Sequence, residues 1–260
     1  MTTCVCLGTL NVEIEAYLQR IGHVGEVRPT EATLFSLHRA HLFAVPFENL
    51  DIHLGRQIVC DEARFLHKIV DEHRGGFCYE LNGAFAALLR IIGFQVTLLS
   101  ARVTRPDGTD GPEFDHLTLR VDLEEPWLAD VGFGDNFLEP LRLKPGLEQP
   151  QTGRIYRLSG VEGVFHLEVM TDDRWKREYS FTMQPRQLAN FAAMCHYQQT
   201  SPDSHFTRNR ICSKPTIEGR VTLSNDNLIE TRNGVRKEKV LEGDQQWRAI
   251  LKERFGISVP

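Results

Sequence analysis

With 260 residues, 41% hydrophobic and 25% charged, the chain is long enough to bury a sizeable core and has the composition of an ordinary globular protein. A formal net charge of -5 provides no broad attraction to phosphate backbones or anionic lipid, which argues against nucleic acid as the main partner. No apolar run reaches the length a bilayer needs, and Met1-Thr2-Thr3-Cys4-Val5-Cys6 lacks the basic flank of a signal peptide, so the expected location is cytoplasmic, without membrane.

In chain order, the first third has helical spacing. Ile14, Tyr17, Leu18 and Ile21 mark a short amphipathic helix ending at Gly22, and Pro29 with Thr30 opens a second that carries Leu34, Leu37 and Leu42. His38 and His41 share a face of it; with no third ligand type nearby they are read as exposed or core-packed residues, not as a metal site. Pro46, in Pro46-Phe47-Glu48-Asn49-Leu50, disfavours helix at Val45. Asp61 is an N-cap for a third helix through Phe65, Leu66 and Ile69. A fourth starts at Cys78, with Leu81, Ala84, Phe85, Leu88 and Ile92 on one face and Gly93 as its stop. Several helices with short connections predict a bundle over residues 1–93.

From Phe94 the apolar period changes to two. Phe94 to Val103, Phe114 to Leu123, Trp127 to Phe133, Val164 to Met170 and Trp175 to Phe181 are expected as strands, and five in succession predict a curled antiparallel sheet or barrel over 94–200. One helix is expected over Pro185 to Tyr197. Residues 201–260 then offer a strand near Arg220 to Ser224, a hairpin from Leu228 to Val240 turning at Asn233-Gly234, and a closing helix with Trp247, Ile250 and Leu251. The expected class is α+β.

Chemistry concentrates at Arg74-Gly75-Gly76-Phe77-Cys78, where two glycines lead into a helix that begins on a thiol. A helix N-terminus lowers a thiol's pKa, so Cys78 reads as a nucleophile; read alone, it is equally consistent with a small buried hydrophobe. The six cysteines show neither a disulfide framework nor zinc spacing, and no metal is expected. A working thiol needs a base and a group that orients the base. In Phe114-Asp115-His116-Leu117-Thr118-Leu119 the alternation turns His116 to the face opposite the apolar one. Asp130 stands among apolar neighbours in Trp127 to Gly134 and requires a partner. A hairpin turning near residue 123 would set His116 directly opposite Asp130.

These stretches resemble the arylamine N-acetyltransferase family. Arg74-Gly75-Gly76-Phe77-Cys78-Tyr79-Glu80-Leu81-Asn82 is similar to its active-site signature, Pro46-Phe47-Glu48-Asn49 and Asp130-Val131-Gly132-Phe133-Gly134 to two further segments, and Phe181-Thr182, Pro185-Arg186, Tyr197 and Thr200-Ser201-Pro202 follow in family order. The resemblance implies a helical bundle, a β-barrel and an α/β lid, with Cys78, His116 and Asp130 as a triad held as in transglutaminases and papain-like peptidases. It also implies ping-pong transfer of an acetyl group from acetyl-CoA to an aromatic amine or hydrazine, through acetyl-Cys78, in xenobiotic metabolism. Gly111, Pro112, Gly132, Tyr197 and Ser204 are the expected cofactor contacts, the glycines reading equally as turns. Phe47, Phe133 and Phe206 are the expected substrate pocket. The length resembles compact prokaryotic members. The competing reading is a cysteine hydrolase of the peptidase or amidase type, because the same triad can pass an acyl group to water.

Overall fold

A computed structural model describes residues 14–260; Cys4 and Cys6 lie outside the described residues. The first helix, α1, covers 14–21. The second, α2 (Glu31–Ala44), is capped by the Thr30 hydroxyl, which accepts from the Thr33 N–H at 3.3 Å, and ends on an extended Val45, as the following proline demands. It leads to β1 (Phe47–Glu48) and α3 (Leu50–His53). The next, α4 (Glu62–Leu66), is capped by Asp61 and continues as a single π-helical turn over His67–Asp71. The fifth, α5 (Cys78–Ile92), is buried without a break from Cys78 to Leu89, so its first three turns have no solvent face and run through the interior.

Eight antiparallel strands follow, namely β2 (Gln95–Val103), β3 (His116–Asp122), β4 (Pro126–Ala129), β5 (Leu141–Arg142), β6 (Glu148–Gln151), β7 (Arg154–Val161), β8 (Val164–Thr171) and β9 (Arg174–Thr182). Their order is β5-β4-β3-β2-β9-β8-β7-β6, a nearly closed barrel whose two edges, β5 and β6, are joined by a side chain. The Gln149 amide accepts from the Arg142 N–H at 2.8 Å and donates to the Arg142 carbonyl at 3.2 Å, replacing the backbone ladder at the seam. The sequence reading anticipated five of these strands. It missed β5, β6 and β7 because two are short and polar and Gly160 interrupts the third.

The hairpin between β3 and β4 corrects one expectation. Leu119 pairs with Ala129 and Val121 with Trp127, so the register is offset by two residues and Asp130 falls just past the end of β4 instead of opposite His116. The cause is a turn centred one residue later, where the Leu123 N–H donates to the Glu125 carbonyl at 3.3 Å. Two residues is a whole pleat, so the face on which each side chain lies is preserved.

After a 3-10 turn over Leu188–Phe191 come α6 (Ala192–Thr200) and the short α7 (His205–Arg208), where one helix over Pro185 to Tyr197 was expected. A second sheet contains β10 (Ile211–Thr216), β11 (Gly219–Ser224), β12 (Asn227–Arg232) and β13 (Val235–Val240), in the order β1-β10-β11-β12-β13. Its hairpin turns at Asn233-Gly234, both at positive φ (50° and 79°), as a two-residue loop of this kind requires. The last helix, α8 (Gly243–Phe255), packs Trp247 and Leu251 against Cys212 and Leu223 of this sheet. A larger core joins Tyr17, Leu34 and Phe85 of the helices to Leu117, Leu119 and Trp127 of the barrel, and a third fills the barrel around Tyr156, Leu158 and Tyr179.

Candidate active site

Cys78 is the first residue of α5, and the turn before it is pressed against the chain. A Cβ at Gly75 would stand 1.9 Å from the Pro46 carbonyl oxygen, and one at Gly76 would stand 2.6 Å from Glu80 Cβ. Only glycine fits either place, and Glu48 N–H closes the contact by donating to the Gly76 carbonyl at 2.8 Å. Inside the helix start, the Glu80 carboxylate accepts from the Phe77 N–H at 3.1 Å.

His116 is the first residue of β3 and follows a strained turn. Phe114 has φ +67°, an outlier for a bulky residue, and the surroundings hold it there. Its N–H donates to Ser100 Oγ at 2.7 Å, its carbonyl accepts from Tyr79 Oη at 2.8 Å, and its ring stands edge-on to Phe191 with centroids 5.2 Å apart. The residue after Cys78 therefore fixes the approach to His116.

The acid closes the group. His116 Nε2–H donates to Asp130 Oδ2 at 2.7 Å, leaving Nδ1 as the second ring nitrogen. Tyr179 Oη donates to the same oxygen at 3.0 Å, while Oδ1 accepts from Asn82 Nδ2 at 2.9 Å and from the Gly132 N–H at 3.0 Å. Asn82 lies one helical turn beyond Cys78. It also donates to the Leu117 carbonyl at 2.6 Å and accepts from the Val131 N–H at 2.9 Å, tying α5 to both segments. Gly132 completes the approach, since a Cβ there would be 2.9 Å from Cys78 Cα.

Cys78 and His116 open on one cleft of about 710 Å³, and Asp130, 1% exposed, stands behind the imidazole. Phe47, Phe133 and Phe206, predicted for the substrate pocket, all line this cleft, and Phe133 stands edge-on to His116 at 5.2 Å. Of the expected cofactor contacts, Pro112, Gly132, Tyr197 and Ser204 line it too. Gly111 is not part of the wall: its N–H donates to the Val103 carbonyl at 2.8 Å, and a Cβ there would meet Asp115 Oδ2 at 2.5 Å. The Ser204 hydroxyl is committed within the protein. It donates to Gln198 Oε1 at 2.7 Å and accepts from the Phe206 N–H at 3.1 Å, and Gln198 Nε2 in turn donates to Asp115 Oδ1 at 2.7 Å.

Burial pushes the Asp130 carboxyl up, but the His116 charge and hydrogen bonds from His116, Asn82 and the Gly132 N–H outweigh it and hold the acid below its ordinary value. Cys78 departs from the expectation. Burial dominates and pushes the thiol well up, and the Asp115 and Asp130 charges add to it; the Leu117 and Tyr79 N–H groups pull it down without prevailing. A helix start alone does not ionise this sulfur, so a thiolate here requires a proton acceptor beside it.

Three partners went unnoticed in the sequence. Tyr179 comes from a strand far along the chain. Asn82 stands in the signature stretch, but nothing local in the sequence ties it to Asp130. His38, expected to be exposed or in the core, is fully buried in α2 and does more than pack: its Nε2 accepts from the Asp130 N–H at 3.1 Å, and its Nδ1–H donates to the Leu138 carbonyl at 2.9 Å. The signal available was a histidine on an otherwise apolar helix face, a group whose polar atoms need partners once buried.

A cysteine at a helix start and a histidine at a strand start open on one cleft, with an aspartate bound behind the histidine, and this arrangement has the parts of the thiol enzymes that handle acyl groups. An N-acetyltransferase family profile matches residues 31–260. The chain is 34% identical to the arylamine N-acetyltransferase, pineal gland isozyme NAT-3, of Gallus gallus, over 95% of either chain. The solved arylamine N-acetyltransferase of Salmonella typhimurium superposes with a TM-score of 0.90 at 32% identity, covering 95% of this chain and 92% of that one. That of Mycobacterium marinum in complex with CoA superposes at 0.87, also 32% identical, covering 94% and 92%. The chain belongs to the arylamine N-acetyltransferase family and is an acyltransferase by that membership.

Proposed function

We propose that the protein transfers an acetyl group from acetyl-CoA to the nitrogen of an arylamine or arylhydrazine, with Cys78 as the carrier. The observation that supports this most is the His116–Asp130 pair, 2.7 Å apart, fastened by Asn82 to the helix that starts on Cys78. Because burial disfavours the free thiolate, the proton of Cys78 passes to Nδ1 of His116 as the sulfur attacks the thioester carbonyl. Asp130, kept ionised, stabilises the imidazolium that results. The N–H groups of Tyr79 and Leu117 that act on the sulfur are the donors assigned to the carbonyl oxygen as it gains charge. CoA leaves as a thiol, taking the proton from His116. An aromatic amine, unprotonated at neutral pH, then attacks acetyl-Cys78 while His116 receives its proton. The rings of Phe47, Phe133 and Phe206 suit a flat apolar acceptor and keep water from the thioester.

The cofactor end of the proposal rests on Pro112, Gly132 and Tyr197, with Ser204 shaping the wall through Gln198 instead of offering a free hydroxyl. A cytoplasmic setting suits the free thiols Cys60, Cys78, Cys195 and Cys212. Among the described residues no helix is long and apolar enough to cross a membrane.

Initial rates with acetyl-CoA and aniline varied together test the reading. Parallel double-reciprocal lines, with CoA release that depends on the amine, are expected. CoA release at the same rate without amine would favour the hydrolase alternative instead.

A further inference from the structure

Five charged side chains are buried next to the Cys78 turn, and the reaction above gives none of them a task. Glu48, Asp51 and Glu80 carry carboxylates, Lys68 and Arg74 carry cations, and each residue is less than 9% exposed. None of them lines the cleft. Arg74 Nη2 lies 2.8 Å from Glu48 Oε1 and 3.1 Å from Asp51 Oδ1. Lys68 Nζ lies 2.8 Å from Asp51 Oδ2, 2.8 Å from Glu80 Oε1 and 3.8 Å from Glu48 Oε1. Lys68 is thus the cation that reaches Glu80.

Lys68 is delivered there by an irregular element. It sits in the π-helical turn that follows α4, and its carbonyl accepts from the Arg74 N–H at 3.0 Å, so the same residue also holds the start of the glycine turn. From Glu80 the connection to the sulfur is one step: Oε1 receives Lys68, and Oε2 receives the Phe77 N–H, the residue before Cys78. We infer that Lys68 is a positioning residue for Cys78, its ammonium holding the Glu80 carboxylate under the Phe77 N–H and so fixing the turn that presents the sulfur. The inference rests on Cys78 being the acyl carrier.

Three carboxylates against two cations leave the group short of positive charge. Burial already pushes the Glu80 acid up to about 7 with Lys68 in contact, and the Glu48 charge pushes the same way. Without Lys68, Glu80 takes a proton and its charge-assisted bond to the backbone becomes an ordinary one. Were Lys68 present only to fill space, an apolar side chain of similar length would leave the Cys78 turn, and the reactivity of its sulfur, unchanged in the folded protein, although removing one partner of a buried charge group lowers stability. Charge and volume therefore predict opposite outcomes for Lys68→Met.

The test is the second-order rate of Cys78 alkylation by iodoacetamide across the neutral range, in the full chain, with folding checked by circular dichroism and urea melts. Lys68→Arg should stay near the wild-type rate, while Lys68→Met and Glu80→Gln should each fall about tenfold or more. The double variant should be no slower than the slower single one, because both changes break one connection. A folded Lys68→Met protein alkylated at the wild-type rate, or losses that multiply in the double variant, would overturn the inference. If Lys68→Met does not fold, the nearly isosteric Glu80→Gln decides alone, and a wild-type rate there overturns it equally. Failure of the wild-type protein to accept an acetyl group from acetyl-CoA would sink the acyl-transfer reading while leaving the alkylation comparison decisive for Lys68.

Discussion

Asp130 accepts hydrogen bonds from His116, Tyr179, Asn82 and the Gly132 N–H, and its own N–H is taken by His38. A buried carboxylate so fully engaged has one orientation, and it passes that orientation to the imidazole. His38 must be neutral to accept from Asp130, and burial holds its pKa down at about 4, from an ordinary 6.5. The unfolded chain then binds a proton that the folded one refuses, so stability is full above about 6.5 and declines as pH falls toward 4. The expected loss from His38 is on the order of 3 kcal/mol. Urea melts at neutral and mildly acid pH should show it, and His38→Gln should flatten the dependence; an unchanged pH profile in that variant would assign the acid sensitivity to other groups. At this scale the sequence disclosed the pair and hid its supports. His116 and Asp130 are legible because each stands out on a patterned strand. Tyr179 is not, because an aromatic residue on a strand is the ordinary case.

At the scale of elements, the loop after β4 has to lie flat on the start of α5. Gly132 is where they touch, its missing Cβ leaving room for Cys78 Cα at 2.9 Å and Asn82 Nδ2 at 2.7 Å. Gly132→Ala would push backbone against backbone, and a displacement near 1 Å at reacting groups costs about a hundredfold in rate. Steady-state kinetics should show that drop in kcat with the fold intact; wild-type kcat would mean the loop can yield without cost. The two-residue error in the β3–β4 register belongs here as well. Alternation settles which face a residue occupies, whereas the pairing offset depends on where a turn closes, and Glu124-Glu125-Pro126 allows more than one place. The barrel seam was invisible for a related reason, since Gln149 and Arg142 meet through a side-chain amide that no periodicity encodes.

For the whole molecule, the helices and the C-terminal sheet are joined at Pro46-Phe47-Glu48-Asn49. Phe47 and Glu48 pair with Ser213 and Cys212, so the N-terminal part supplies an edge strand to the last sheet. Asn49, wholly buried, donates to the Phe206 and Asn209 carbonyls at 2.9 and 2.7 Å and accepts from the Ile211 N–H at 2.8 Å. Asn49→Ala would leave all three backbone groups without this partner, for a loss of about 3 kcal/mol by urea denaturation. The Phe206 side of the cleft would loosen, with a higher KM for the aromatic acceptor; an unaltered melt and KM would place the junction elsewhere. The division at residues 93 and 200 stands as a proposal about folding units. It follows the change in apolar period, although the main core runs across the first boundary from Phe85 to Leu119. Long-range joints such as Asn49 with Ile211 leave no local pattern, which is why the elements are legible in the sequence and their assembly is not.

The most direct measurement is the mass of the intact protein after brief exposure to acetyl-CoA, followed by peptide mapping. One added acetyl group on Cys78, discharged by aniline and missing from Cys78→Ser, is the expected result. A wild-type protein that gains no acetyl group, or carries it on a residue other than Cys78, would contradict the account.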